Sequence, residues 1–180
     1  LRFKLSPRSF FQVNTRQAEL LYTKTLEFAN IDKGCTVIDL YCGTGSISLV
    51  LARKAGRVIG VEVVPEAVSD AIENAKRNNI ENAEFICADA AKAAIDLKTR
   101  GITPSVLVVD PPRKGLAPGL IDTIAEMAPE RVVYVSCDPG TLARDLKLFT
   151  ERGYNPLRAE AVDMFPRTTH VETITVLYRR

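Results

Sequence analysis

Two side chains in this sequence stand where covalent chemistry could be done. Cys137 follows Val132-Val133-Tyr134-Val135-Ser136 and precedes Asp138-Pro139. A thiolate is a strong nucleophile when its environment activates it. Glu172 opens a second apolar stretch and shares a strand face with Ile174, Val176 and Tyr178. Burial beside apolar neighbours desolvates a carboxylate and raises its pKa, which suits a general base. Each residue also has a plainer role. A half-buried cysteine can act as a small hydrophobe, and a glutamate at a strand start can sit in solvent. The elements that position them decide between these roles.

The run before Cys137 reads as a strand buried on both faces, and Leu142, Leu146 and Phe149 follow at helical spacing. Cys137 is therefore expected at the carboxyl edge of a sheet, where open α/β sheets bind ligands. The same strand–loop–helix unit recurs upstream. Cys35–Leu40 runs into Tyr41-Cys42-Gly43-Thr44-Gly45 and a helix that begins at Ile47. Glycines let the backbone approach a ligand, and the helix start offers free N–H groups; a tight turn is the plainer reading. The loop has neither the third glycine of the dinucleotide fingerprint nor the Gly-Lys-Ser/Thr of a P-loop. Arg57–Glu62 ends in an acid placed to accept ribose hydroxyls, and Pro65 opens a helix to about Asn78. Ala83–Cys87 leads to Asp89, which either reaches an adenine amino group or caps the helix over 90–100. Ser105–Asp110 ends in the stiff loop Asp110-Pro111-Pro112-Arg113-Lys114-Gly115, followed by a helix over 118–128.

The first residues interleave Phe3, Phe10 and Phe11 with Arg2, Lys4 and Arg8. Such mixing suits a nucleic-acid surface, but for Phe10 and Phe11 the expectation is packing against the core. Asn14 or Thr15 caps a helix whose stripe is Ala18, Leu21, Thr25 and Phe28. Cys35 and Cys87 fall at strand positions and are expected in the core. There is no C-x-x-C pair and a single histidine, His170, so no zinc site is expected. A net charge of +2 does not itself argue for nucleic acid. With 46% apolar and 26% charged residues, the profile is that of one soluble globular domain with no membrane span. Unpaired cysteines suit a reducing cytoplasm. The chain opens Leu-Arg-Phe, without Met or a signal-peptide pattern, so a domain cut from a longer protein is expected.

Residues 154–165 and 171–178 are two extended stretches with no room for a helix between them, hence an antiparallel pair. Five βα repeats closed by such a pair predict an α/β fold. It is the Rossmann-like, doubly wound seven-stranded methyltransferase sheet, with its last strand inserted antiparallel beside the fifth. The start of the last strand then lies beside the end of the fifth, so Val171 and Glu172 approach Ser136 and Cys137.

Six segments stand in order: F-F-Q-V-N (10–14), D-L-Y-C-G-T-G (39–45), G-V-E (60–62), D-P-P-R-K-G (110–115), Y-V-S-C-D-P (134–139) and H-V-E-T (170–173). Together they resemble the RNA 5-methyluridine methyltransferases. The resemblance implies S-adenosylmethionine as cofactor, contacted by Gln12, Tyr41, Glu62 and Asp110 along the loop of Gly43, with Asp89 near its adenine. It implies Cys137 as nucleophile and Glu172 as base. It implies an RNA substrate, 23S ribosomal RNA favoured over transfer RNA, and a monomeric cytoplasmic enzyme. Residues 1–180 would be its catalytic domain, with 1–14 as an arm. The family's N-terminal OB-like RNA-binding module and its insertion with iron–sulfur cysteines would lie outside these residues.

That chemistry needs these residue types. Carbon 5 of uracil is a poor nucleophile until a thiolate adds at carbon 6. A base must then take the proton from carbon 5, and both groups must face one flipped base. Two rivals differ in class. Asp110-Pro111-Pro112 also suits an exocyclic-amine methyltransferase, although Arg113 stands where such enzymes carry an aromatic. A non-catalytic cofactor- or RNA-binding module is the other. A nicotinamide dehydrogenase lacks its third glycine.

Overall fold

The computed structural model describes residues 1–6, 11–168 and 171–180. The segment motifs containing Phe10 and His170, and the arm residue Arg8, therefore extend outside the described residues. The elements run α1 (Thr15–Ala29), β1 (Thr36–Leu40), α2 (Ser46–Ala52), β2 (Arg57–Glu62), α3 (Pro65–Arg77), β3 (Ala83–Cys87) and α4 (Ala90–Thr99), then β4 (Val106–Val109), α5 (Pro118–Met127), β5 (Arg131–Ser136), α6 (Pro139–Glu151), β6 (Tyr154–Val162) and β7 (Glu172–Arg179). The seven strands form one sheet in the order β3-β2-β1-β4-β5-β7-β6. β1 to β5 are parallel, and β7 is antiparallel to both β5 and β6. This is the α/β methyltransferase architecture expected from the pattern.

Strand alternation feeds two cores. Val37, Val58, Val106, Val108, Val133, Val135, Ile174 and Val176 pack with α1 and α2 on one face. Ile38, Leu40, Ile59, Leu107, Val109, Tyr134 and Leu177 pack with α4, α5 and α6 on the other. Central strands covered on both faces are mainly apolar, as β4 and the Val132–Val135 run of β5 are. The α1 stripe of Ala18, Leu21, Thr25 and Phe28 is buried as its spacing predicts. Asn14 is the cap: its side-chain Oδ1 accepts from Gln17 N at 3.3 Å, and its Nδ2 donates to the Met164 carbonyl at 3.1 Å.

Two expectations need correction. Cys87 is exposed rather than in the core. It ends β3, an edge strand, whose faces are only partly covered. The extended stretch expected over 154–165 stops at Val162, where the chain turns and Met164 N donates to the Val162 carbonyl at 2.9 Å.

Candidate active site

The loops at the carboxyl edge of the parallel strands carry the candidate residues. After β1, Tyr41 adopts φ +71°, a left-handed conformation that a tyrosine rarely takes. Gly45 follows at φ +81°, and a Cβ there would stand 3.1 Å from the Phe85 ring, which props the loop from beneath. Glu62, at the end of β2, ties this loop to its own. Its Oε2 accepts from Gly43 N at 3.1 Å, and its Oε1 accepts from Val63 N at 2.8 Å and Val64 N at 2.9 Å. Asp89 is exposed and caps α4, accepting from Ala91 N and Lys92 N at 3.1 Å. Both bonds use Oδ1, which leaves Oδ2 outside the cap.

A small cleft joins Gln12, Tyr41, Gly43 and Asp110, four of the residues singled out from the sequence. The side chain of Gln12 is buried, and its Oε1 has no partner; the same holds for Thr44 Oγ1. Buried polar atoms without partners are uncommon and costly, so two of them at one cleft ask for a ligand. Thr44 was not singled out in the sequence, where a threonine between two glycines reads as a turn residue. A larger hollow, about 440 Å³, lies elsewhere, between the arm and α1, with a mainly apolar lining that includes Leu1, Phe3, Tyr22 and Val50. None of the residues singled out from the sequence as site residues lines that hollow, whereas four of them line the small cleft.

Beyond Asp110 lie Cys137 and Glu172. The β5–β7 ladder pairs Val135 with Ile174 and Ser136 with Thr173. Cys137 and Glu172 are the next residues past that last pair, and the Glu172 charge bears on the Cys137 thiol. Glu172 is only 5% exposed, and burial pushes its carboxyl up from the ordinary range. Asp110 is pushed well up, by burial first and then by the charges of Glu172 and Asp39. The half-buried Cys137 thiol is also raised, by burial and by Glu172 and Asp110, while the Arg113 guanidinium pulls the other way. Asp138 caps α6, its Oδ1 accepting from Thr141 N at 2.8 Å.

The loop from Asp110 to Leu116 is tied down by a buried acid that the sequence did not single out. Asp145 is wholly buried. Its Oδ2 accepts from Leu116 N at 2.8 Å and Tyr134 Oη at 2.7 Å, and its Oδ1 from Arg144 Nε at 2.8 Å. Arg144 Nη2 donates to the Lys114 carbonyl at 2.9 Å. Gly115 has to be glycine here: it sits at φ +71°, and a Cβ would lie 2.5 Å from Asp145 Oδ2.

Beneath the glycine loop, Asp39 is fully buried and accepts from Ser48 Oγ at 2.5 Å through Oδ2, while its Oδ1 has no partner. Burial pushes it up to about 7. Among the described residues no group of His, Cys, Asp and Glu side chains is arranged to hold a metal ion, and no helix is long and apolar enough to cross a membrane.

Comparison with known proteins bears on this arrangement. The family model described as tRNA (uracil-5-)-methyltransferase matches residues 1–180. A Bacillus cereus protein named an uncharacterized RNA methyltransferase is 53% identical over 179 residues, covering 99% of this chain and 39% of its own length. A Clostridium tetani protein of the same description is 50% identical over 176 residues, covering 98% of this chain and 38% of its own. The chain thus spans about two fifths of the length of the curated relatives it matches. Among solved structures, the tRNA (uracil-54, C5)-methyltransferase of Pyrococcus abyssi in complex with S-adenosyl-L-homocysteine superposes with a TM-score of 0.84 at 34% identity, over 97% of this chain and 41% of that one. The precorrin-6y C5,15-methyltransferase of Geobacter metallireducens, at 15% identity and a TM-score of 0.78 over 98% of this chain and 94% of that one, shares the fold alone. With all 180 residues matched, this chain belongs to the tRNA (uracil-5-)-methyltransferase family.

Proposed function

We propose that this chain catalyses S-adenosylmethionine-dependent methylation of uracil carbon 5 in RNA through a covalent adduct on Cys137, with Glu172 as the base. The observation that carries the reading is the β5–β7 register, whose last pair, Ser136–Thr173, is followed on one strand by the half-buried Cys137 and on the other by the buried Glu172, with the Glu172 charge acting on both Cys137 and Asp110. A simple core cysteine needs no such partner.

S-adenosylmethionine is the cofactor of the family, and the residues at the cleft fit it. Gln12 Oε1 and Thr44 Oγ1 are buried polar atoms that a ligand would satisfy. A Cβ at Gly43 would meet nothing within 4 Å, so open space lies in front of that backbone. Gln12, Tyr41, Gly43, Glu62 and Asp110 would hold the cofactor, with Asp89 toward the adenine, and Glu62 also ties down the loop at Gly43. When bound, the cofactor supplies an electrophilic methyl group.

The chain's own residues do the rest. The Cys137 thiolate, its proton already lost to solvent, forms a bond to carbon 6, and the electron pair of the 5,6 double bond moves into the ring as an enolate, which makes carbon 5 nucleophilic. Once carbon 5 carries the methyl group, the Glu172 carboxylate takes its remaining proton. The freed pair restores the double bond and expels the Cys137 thiolate. Asp110, whose carboxyl is pushed well up by burial, lines the same cleft. We place the reaction in the cytoplasm, where the thiol stays reduced, and on ribosomal or transfer RNA.

The test is covalent trapping. The protein is mixed with S-adenosylmethionine and an RNA carrying 5-fluorouridine, digested, and analysed by mass spectrometry. Fluorine cannot leave as a proton, so RNA should remain attached to the peptide containing Cys137. Methylation of natural uridine RNA with no adduct on the fluorinated one would overturn the covalent reading and favour transfer to an exocyclic amine.

A further inference from the structure

The arm that opens the chain is bound to α3 by a ladder of side chains. Asn78 accepts from Arg2 N at 2.8 Å and donates to the Arg2 carbonyl at 2.8 Å. Asn74 accepts from Lys4 N at 2.6 Å and donates to the Lys4 carbonyl at 3.1 Å. Asp70 accepts from Ser6 N at 2.7 Å and Ser6 Oγ at 2.8 Å. Asp70 and Asn74 in α3 and Asn78 at its C-terminal cap are spaced four apart and stack on one face. They grip alternate arm residues, whose backbones point the same way in an extended chain. An asparagine that takes both the N–H and the C=O of one residue imitates a neighbouring β-strand, so the helix holds this segment by its backbone.

Two features carry the grip into the cleft. Asn74 is wholly buried, and its amide also donates to the Thr44 carbonyl at 3.2 Å. That carbonyl lies in the glycine loop, on the residue whose hydroxyl stands unpartnered at the cleft. The Phe3 ring meets the Phe11 ring, with centroids 5.7 Å apart. Phe11 adjoins Gln12, whose Oε1 is the other unpartnered atom there. The arm thus reaches both walls, the Thr44 side through Asn74 and the Gln12 side through Phe3.

We propose that residues 1–6 are a strap that sets the geometry of the cofactor cleft, with Asn74 as the positioning residue that couples the strap to the glycine loop. This rests on reading the cleft as the S-adenosylmethionine site. Without the strap, the Gln12 and Thr44 walls lose their common anchor, and the ligand must order them on binding. Such ordering weakens affinity without removing any contact made to the ligand itself.

The experiment is calorimetric titration of S-adenosylhomocysteine into the wild type, Asn74→Ala, Lys4→Pro and the double variant. Lys4→Pro removes one arm N–H and leaves α3 intact. Each single variant should weaken binding about tenfold, and the double variant should be no weaker than the worse single one, because both break the same link. Glu73→Ala is the control. It removes the Lys4 Nζ–Glu73 ion pair of 2.6 Å but none of the ladder's hydrogen bonds, and should bind as the wild type does. Amide exchange in the ligand-free protein should show faster exchange at Gly43 to Gly45 in both single variants. Wild-type affinity in both singles, or losses that add in the double, would overturn the strap and leave the cofactor reading standing. A wild type that does not bind S-adenosylhomocysteine would overturn the cofactor reading, and the strap's role with it.

Discussion

Cys137 and Glu172 are each the next residue past the Ser136–Thr173 pair that closes the ladder between β5 and β7, and the Glu172 charge bears on the Cys137 thiol. Thirty-five positions apart in the chain, they meet because β7 enters the sheet antiparallel beside β5. The register is firm, since a slip of one residue would turn Ile174 and Val176 out of their core and bring threonines in.

Removing either group should divide the reaction at a different step. Cys137→Ala should give no RNA adduct and no methyl transfer, while S-adenosylhomocysteine binding stays within about twofold. Glu172→Gln should form the adduct on natural uridine RNA and accumulate it, because proton removal from carbon 5 is lost. Denaturing gels with labelled RNA distinguish the two. A Glu172→Gln variant with wild-type turnover would remove Glu172 from the base role.

The thiol sets the pH dependence of trapping. Burial and the charges of Glu172 and Asp110 raise its pKa, so little thiolate is present near neutrality. The rate of adduct formation on 5-fluorouridine RNA should therefore climb as pH rises through the neutral range and beyond. Arg113 favours the thiolate, and Arg113→Ala should move that climb to higher pH. An unchanged profile would show that Arg113 does not set the nucleophile's charge.

Asp145 should matter to folding more than its distance from the cleft suggests. Asp145→Ala leaves the Leu116 N–H and the Tyr134 hydroxyl buried without their acceptor. The expected loss is about 3 kcal/mol, a fall in Tm of roughly 6–12 °C. Asp145→Asn keeps an acceptor and should lose less. The Arg144 side chain is half exposed, so its ion pair with Asp145 contributes little of this. Thermal melts of both variants check the order.

Asp39 should make stability fall with pH. Its carboxyl titrates near 3.8 when unfolded and at about 7 when folded, where burial outweighs the Ser48 hydrogen bond and Glu62 adds a like charge. The folded state holds the extra proton in that window, so stability declines as pH rises from about 4 to 7. The decline is of order 4 kcal/mol. Asp39→Asn should flatten that part of the urea-stability profile and gain most against the wild type above pH 7. A parallel profile in the variant would assign the slope to other groups.

The sequence by itself determined the strands and helices, their βα alternation, the antiparallel ending and the family. These follow from periodicity, glycine and proline placement and short motifs, all local along the chain. It also placed Gly43, Glu62, Asp89, Asp110 and Cys137 at one edge, because every parallel strand in such a sheet ends on the same side. What only the tertiary structure decided is which polar groups meet across long separations. Asp70, Asn74 and Asn78 look like the solvent side of an alanine-rich helix until the arm is laid across them. Asp145 reads as an ordinary polar residue of α6 until the loop after β4 folds onto it. Cys87 reads as core until β3 proves to be an edge. A hydrogen bond between groups some seventy residues apart leaves no periodic trace in either segment, and an edge strand differs from a central one only in what packs beside it.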